Sequence, residues 1–105
     1  MREWLNMNMQ KLMMEAQKMQ KKLQNEQKEL ENTTYEGNSS LVKIVINGKK
    51  VVKSVKIDIE DEISNDDIEM LEDMIMVAMN DAVKKADDDK EQRLGKYSQG
   101  LTGLM

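Results

Sequence analysis

Residues 41–59 (LVKIVINGKKVVKSVKIDI) constrain the fold more than any other stretch of this 105-residue chain. Two runs rich in β-branched residues, Leu41–Ile46 and about 51–59, flank Asn47 and Gly48, a combination that predicts a β-hairpin. We expect a type I′ turn, because its two central residues need positive φ and Asn and Gly adopt it readily. The segment also carries five lysines and one acid, whereas the chain has a net charge of −4.

Antiparallel pairing across this hairpin separates its side chains into two faces. One face is apolar apart from one lysine and is predicted to lie in the core: Val42, Ile44, Ile46, Val51, Lys53, Val55 and Ile57. The other face mixes apolar residues with lysine, and a partner or a polyanion could cover it: Leu41, Lys43, Val45, Lys50, Val52, Ser54 and Lys56. Upstream, residues 33–35 favour a further strand and residues 38–40 favour a turn.

A long amphipathic helix is predicted before the sheet, over residues 4–31. Its apolar residues recur at alternating spacings of four and three, the heptad pattern of a coiled-coil stripe, which Glu26 interrupts. The stripe consists of Leu5, Met9, Leu12, Ala16, Met19, Leu23 and Leu30. Outward positions of the same heptads carry Lys11, Lys18, Lys21 and Lys28. A lysine row of this kind is by default a solvated face.

A second long helix is predicted from about residue 65 to 93, after an acidic connector at residues 60–67. Ser64 and Asp67 resemble a capping box, with Asp in place of the usual Glu or Gln. The main apolar stripe consists of Ile68, Leu71, Ile75, Ala78, Met79, Ala82 and Ala86. Between residues 74 and 83 further apolar side chains surround most of the helix, a pattern typical of burial on more than one side.

The lengths of these elements favour a homodimer. The first helix would span ~42 Å, whereas a six-residue strand spans about 20 Å, so that half of the helix would extend beyond its own sheet. A second subunit would cover the apolar stripe that is exposed there. The predicted dimer interface comprises Leu5, Met9, Leu12, Met19, Val45, Val52, Met74 and Val77. Residues 1–94 are predicted to form one domain and residues 95–105 a flexible tail.

The composition argues against catalysis. The chain has no cysteine and no histidine, which excludes thiol nucleophiles, disulfides and Ser–His pairs, and its five glycines are scattered rather than gathered in a phosphate-binding loop. Thioether sulfur suits Cu(I), but most of the eleven methionines have the spacing of helix core residues. We therefore expect no enzyme, no metal, no cofactor and no small-molecule substrate. No apolar run reaches the ~20 residues that span a bilayer, so no membrane segment is expected.

Four motifs occur in order along residues 9–93. They are a Met-, Gln- and Lys-rich helix (13–24), a V-x-I-x-x-N-G hairpin (42–48), a V-x-I-D strand end (55–58) and an LED-x4-A-x-N-D-A helix (71–82). Together they resemble the YbaB/EbfC family of nucleoid-associated proteins. The resemblance implies an α+β fold of order α-β-β-β-α, and a small homodimer whose helices project from a central sheet like tweezers. It also implies duplex DNA as the partner and an architectural or regulatory role in the nucleoid of a bacterium, or alternatively of a plastid or similar organelle.

On that basis, lysines would bind DNA phosphates, with strong salt dependence and little base readout. The first candidates are Lys11, Lys18, Lys21, Lys22, Lys84 and Lys85. At i, i+4 spacing, Asp81 can pair with Lys85 and Lys84 with Asp88. The second candidate surface is the hairpin, with Lys43, Lys49, Lys50, Lys53 and Lys56, although lysines also protect sheet edges from aggregation.

The alternative interpretation is a dimeric protein–protein interaction module. It would use the apolar stripe of the first helix and the acidic second helix, and the net charge of −4 favours it. Residues 60–92 carry thirteen acids and three lysines, so DNA is expected to avoid that surface. Salt distinguishes the two, because DNA binding weakens steeply as salt rises and an apolar contact does not.

Overall fold

The computed structural model describes the backbone of residues 2–103 and the side chains of residues 8–95. Its elements are, in order, α1 (Arg2–Asn32), β1 (Thr34–Ser39), β2 (Val42–Asn47), β3 (Val52–Ile57) and α2 (Asn65–Gly103). This order confirms the predicted α+β class and its α-β-β-β-α arrangement.

The helix α2 is longer than predicted. It continues to Gly103, past Arg93, and therefore includes residues 95–103 of the segment predicted as a tail. Isolated glycines lower helix propensity but, unlike proline, do not clash with the preceding turn, so a helix can continue through them. The chain contains no proline. At the other end, the helix begins at Asn65 as predicted, where the Asp67 carboxylate accepts a hydrogen bond from the N–H of Ser64 (3.0 Å).

The three strands form one antiparallel sheet in the order β1-β2-β3. Gly37 of β1 lies opposite Ile44 of β2. β1 extends to Ser39, further than predicted, so the turn into β2 falls at Ser40, whose φ is 47°.

The turn between β2 and β3 is not the predicted type I′ turn, since neither Asn47 nor Gly48 has positive φ. Instead, the N–H of Lys50 donates to the carbonyl of Asn47 (2.9 Å), and Lys50 itself adopts a left-handed φ of 64°. The Asn47 side chain accepts hydrogen bonds from the N–H groups of Lys49 and Val51. The result is a three-residue loop, the next commonest hairpin connection, in which a left-handed residue follows a tight turn.

This loop changes which residues of β3 face the core. A β-bulge pairs Ile46 with Val52, so the predictions that Val51 faces the core and that Val52 faces away from it are wrong. Val55 and Ile57 lie on the core-facing side as predicted, because beyond the bulge the register matches the predicted one.

The core lies between α2 and the strands β1 and β2. Its buried apolar residues are Leu30, Tyr35, Val42, Ile44, Ile46, Leu71, Ala78, Ala82 and Ala86. The alanines of α2 approach β1 closely at Gly37, where a Cβ would lie 1.9 Å from the carbonyl oxygen of Ala78. Small residues on both sides therefore set the distance between helix and sheet.

The strand β3 has no helix above it. Among the described residues α2 makes no contact with β3, and every β3 residue is exposed. Val55 is 51% exposed although it lies on the same side as the buried Ile44. Val52, Val55 and Ile57 form an uncovered patch, which we call the β3 apolar row. Contiguous exposed apolar residues of this kind mark interaction sites.

The helix α1 contacts the rest of the chain through its last turns. Leu30 is buried and Leu23 is half-buried, whereas residues 8–22, which we call the arm, are exposed throughout. The molecule is consequently extended, with dimensions of 81 × 22 × 13 Å and a radius of gyration of 22.1 Å. A compact domain of this length would have a radius of gyration of about 13 Å.

Candidate nucleic-acid interface

The arm carries the first four predicted DNA-binding lysines on one side. With 3.6 residues per turn, Lys11, Lys18, Lys21 and Lys22 lie within an arc of about 100° and extend over ~16 Å of helix. The arc faces away from the side on which Leu30 is buried, because three of its four lysines, Lys11, Lys18 and Lys21, occupy outward heptad positions. Phosphates approaching from that side would meet all four ammonium groups.

Positive charge on the arm is concentrated and uncompensated. Residues 8–22 contain four lysines and one acid, Glu15. Within residues 8–95, none of the four lysines lies within 4.0 Å of a carboxylate. The arm is therefore locally basic in an acidic protein, and local charge governs encounter with a polyanion.

The structure holds the two predicted lysines of α2 apart from the arm. Lys85 pairs with Asp81 as predicted (3.2 Å) and donates a hydrogen bond to the backbone carbonyl of Glu36 in β1 (2.7 Å). Lys84 is exposed, but its predicted pair with Asp88 does not form among the described residues. Lys85 thus fastens α2 to the sheet edge.

Acids of the same chain offset much of the charge of the hairpin lysines. The pairs are Lys43 with Glu36 (2.8 Å), Lys50 with Asp87 (2.8 Å) and Lys49 with Glu31 (3.9 Å). The hydrogen bond to Glu36 raises the pKa of Lys43. Lys53 and Lys56 are exposed and have no acid within 4.0 Å in the described part of the chain. The arm is therefore the stronger candidate surface.

The longest acidic segment lies away from the base of the arm. Residues 58–83 contain ten acids and no base, and they form the connector and the N-terminal half of α2. The last turns of α1 meet α2 near Arg93, which lies ~42 Å along the helix from Asn65. This acidic segment is therefore separated from the lysines of the arm.

A polar network at the base of the arm was not predicted from the sequence. The Tyr35 hydroxyl donates to the Asp89 carboxylate (2.5 Å), and the Arg93 Nε donates to the same carboxylate (3.1 Å). The Arg93 guanidinium also lies near Glu29 (3.7 Å) and Glu26 (3.9 Å) of α1. The i, i+4 spacing of Asp89 and Arg93 is visible in the sequence, but Tyr35 is 54 residues from Asp89.

This environment changes the ionisation of its members. Burial, with the hydrogen bond to Asp89, raises the pKa of Tyr35 to about 12. The same hydrogen bond lowers the pKa of Asp89, so the carboxylate stays charged at neutral pH and can hold Arg93.

The predicted dimer-interface residues are spread over the arm, α2 and both faces of the sheet. Met9, Leu12 and Met19 are exposed on the arm, and Val77 is 54% exposed on α2. Val52 belongs to the β3 apolar row, and Met74 and Val45 are half-buried. The Leu5 side chain lies outside the residues whose side chains are described.

Two other kinds of feature are absent from the described residues. Within the described residues there is no cluster of three or more potential metal ligands among acidic, histidine and cysteine side chains. Neither helix, over its described part, combines the length and the hydropathy that crossing a membrane requires.

Comparison with known proteins agrees with the resemblance. Residues 5–101 match the model of the YbaB/EbfC DNA-binding family. Nucleoid-associated proteins of Staphylococcus carnosus and Geobacillus kaustophilus are each 51% identical over 96 residues, which cover 90% of this chain and 90% and 88% of theirs. A nucleoid-associated protein of Finegoldia magna is 47% identical over 68 residues, 65% of this chain and 59% of its own. The chain therefore belongs to the YbaB/EbfC DNA-binding family, a family of DNA-binding proteins rather than of enzymes.

Proposed function

We propose that this protein is a nucleoid-associated protein that binds duplex DNA as a homodimer, through the lysines of its arm. Its role is architectural or regulatory, and its place is the nucleoid in the cytoplasm of a bacterium. The observation that carries the proposal is the arm itself, a solvent-exposed helical segment with four lysines, one acid and no ion pair among the described residues. The names of the related bacterial proteins support the same role.

The chemistry of the arm favours contact with phosphate rather than with bases. Lysine is a point charge without the planar fork that reads guanine, and no aromatic residue lies within residues 8–22 to stack on a base. Each neutralised phosphate contributes about −0.9 to the slope of log K against log salt. A dimer that engages all eight arm lysines would have a slope of about −7.

Exposed apolar surface supports the homodimer. The β3 apolar row lies at the free edge of the sheet, and Val77 and Met76 are exposed on α2. An extended monomer with this much uncovered apolar surface gains stability when a second copy covers it. The second copy would also supply a second arm, and two tethered arms bind one duplex far more tightly than one.

Fluorescence anisotropy with a short duplex tests the proposal. We expect Lys18→Glu with Lys21→Glu to abolish binding at low salt and near physiological salt. The matched control is Lys53→Glu with Lys56→Glu, which makes the same charge change on two lysines of β3 that form no ion pair within residues 8–95. Loss of binding in the β3 variant alone would move the site to the sheet, and equal loss in both would indicate a response to total charge.

A second function is favoured by the exposed stripe of the arm, where Met9 is 62% exposed. In that alternative the dimer binds a partner protein through this stripe and the acidic part of α2. Absence of DNA binding at low salt, with an intact dimer, would refute the DNA proposal and favour this alternative.

A further inference from the structure

The last turns of α1, which carry the arm, are attached to the body by apolar and by polar contacts. One contact is apolar, because Leu30 is buried against the hairpin turn, where a Cβ on Gly48 would lie 1.9 Å from the Leu30 carbonyl oxygen. Another is polar, because Glu26 and Glu29 of α1 face Arg93 of α2. A single contact would allow the helix to swing about it. Leu23, two turns before Leu30, is half-buried, and the contact with Arg93 lies between the two, so that together they fix the direction of the helix.

Arg93 is suited to be that polar contact. Its guanidinium bonds Asp89 on its own helix and faces two carboxylates on α1, so one rigid, permanently charged group connects both helices. Asp89 is held in turn by the buried Tyr35 of β1. The network therefore runs from the sheet through α2 to the arm, and its inner members are half-buried or buried.

We propose that Arg93 is a positioning residue, which holds the arm at a fixed angle to α2 so that its lysines meet the DNA backbone together. The proposal rests on the proposed binding of DNA through the arm. A small change in the angle of the arm causes a large displacement at its outer end. Lys11 lies ~22 Å along the helix from Glu26, so a swing of the arm by about 20° would move Lys11 by ~8 Å. Successive phosphates of one strand rise by only about 3.4 Å, so such a swing would misplace the outer lysines.

Pulsed electron–electron resonance measures the arm without DNA. Since the chain has no cysteine, spin labels can be placed at Gln17→Cys on the arm and Asp88→Cys on α2, both exposed. Dilution with excess unlabelled protein restricts the signal to distances within one chain. We expect Arg93→Gln to broaden the distance distribution, and Lys90→Gln, which removes the same charge from an exposed site on α2, to leave it unchanged.

DNA binding of the same variants tests the link to function. We expect Arg93→Gln to weaken binding about three- to tenfold relative to Lys90→Gln, with an unchanged salt slope because Arg93 does not contact phosphate. Removing the other half of the clamp, with Glu26→Gln and Glu29→Gln, should also broaden the distance distribution. That double variant should weaken DNA binding. Since the loss of two negative charges would by itself strengthen binding to DNA, weaker binding would indicate the loss of a fixed arm angle.

The two proposals fail in different ways. A distance distribution unchanged in both clamp variants, with native helicity by circular dichroism, would overturn the positioning role whatever the DNA result. Broadened distances with wild-type affinity would overturn the link between arm angle and binding. Absence of DNA binding by the unmodified protein would refute the proposed function and, with it, the purpose assigned to the fixed angle.

Discussion

A methyl group added at Gly37 should separate α2 from the sheet. Its Cβ would lie 1.9 Å from the carbonyl oxygen of Ala78, 2.6 Å from the amide nitrogen of Ala82 and 2.8 Å from the Ala82 Cβ. Two of these are backbone atoms, which no rotamer change can move aside. The φ of Gly37 is not positive, so alanine fits the backbone and the whole cost is steric.

The size of the effect follows from the displacement. Restoring an ordinary contact of about 3.4 Å requires α2 to move by ~1.5 Å, which loosens packing along the buried face of Ala78 and Ala82. Overpacking of a tight core costs about 1–3 kcal/mol, and a rigid backbone obstacle places Gly37→Ala at the upper end, about 3 kcal/mol. For a domain of this size that corresponds to a fall in melting temperature of roughly 10 °C or more.

The control is Gly95→Ala in the same helix, where nothing lies within 4 Å of the added Cβ. Alanine has the higher helix propensity, so this variant should gain about 1 kcal/mol. Urea titrations followed by circular dichroism, at one protein concentration, measure both. A loss of less than about 1 kcal/mol in Gly37→Ala would show that α2 does not approach the sheet as closely as 1.9 Å implies. A change equal in sign and size to that of Gly95→Ala would show the same.

Two further predictions concern Tyr35 and the β3 apolar row. The neutral tyrosine stabilises the fold because its folded pKa of about 12 exceeds the ordinary value of 10.0; this stabilisation is fully present below pH 10 and is lost as the pH rises towards 12. Relative to Tyr35→Phe, the unfolding free energy of the wild type should fall by about 2 kcal/mol over that range, and parallel curves would contradict this. Val55→Asp should convert the dimer to monomer in sedimentation equilibrium while Ser54→Asp on the opposite face does not, and an unchanged mass would place the interface elsewhere.

The order of the helices and strands could be predicted from the sequence, because the spacing of apolar residues shows which side of each helix or strand is buried. Alternation in residues 42–46 identified Val42, Ile44 and Ile46, which are all buried. Heptad spacing identified α1 and predicted that it extends beyond the sheet. The lysines of the arm were also recognisable, since outward positions on a helix follow from the same periodicity.

Contacts between distant segments were beyond what the sequence could predict. Gly48 predicted a turn with positive φ, but its φ is not positive. A glycine is needed at this position because the end of α1 packs against it, and no local sequence pattern predicts that contact. The resulting three-residue loop moved Val52 to the core-facing side. The apolar residues of β3 indicated burial, but a lone chain cannot show whether its own helix or a second subunit provides it.

Net charge is a poor guide to the partner of a molecule with this shape. Charges are screened over about 8 Å at physiological salt, while the acidic segment 58–83 ends ~15 Å along α2 before the point where the arm joins that helix. A phosphate beside Lys18 would therefore respond to the neighbouring lysines and hardly to the ten acids of that segment. The extended fold thus allows a chain of net charge −4 to present a basic surface, and close packing of α2 at Gly37 keeps the acidic half of that helix on the body.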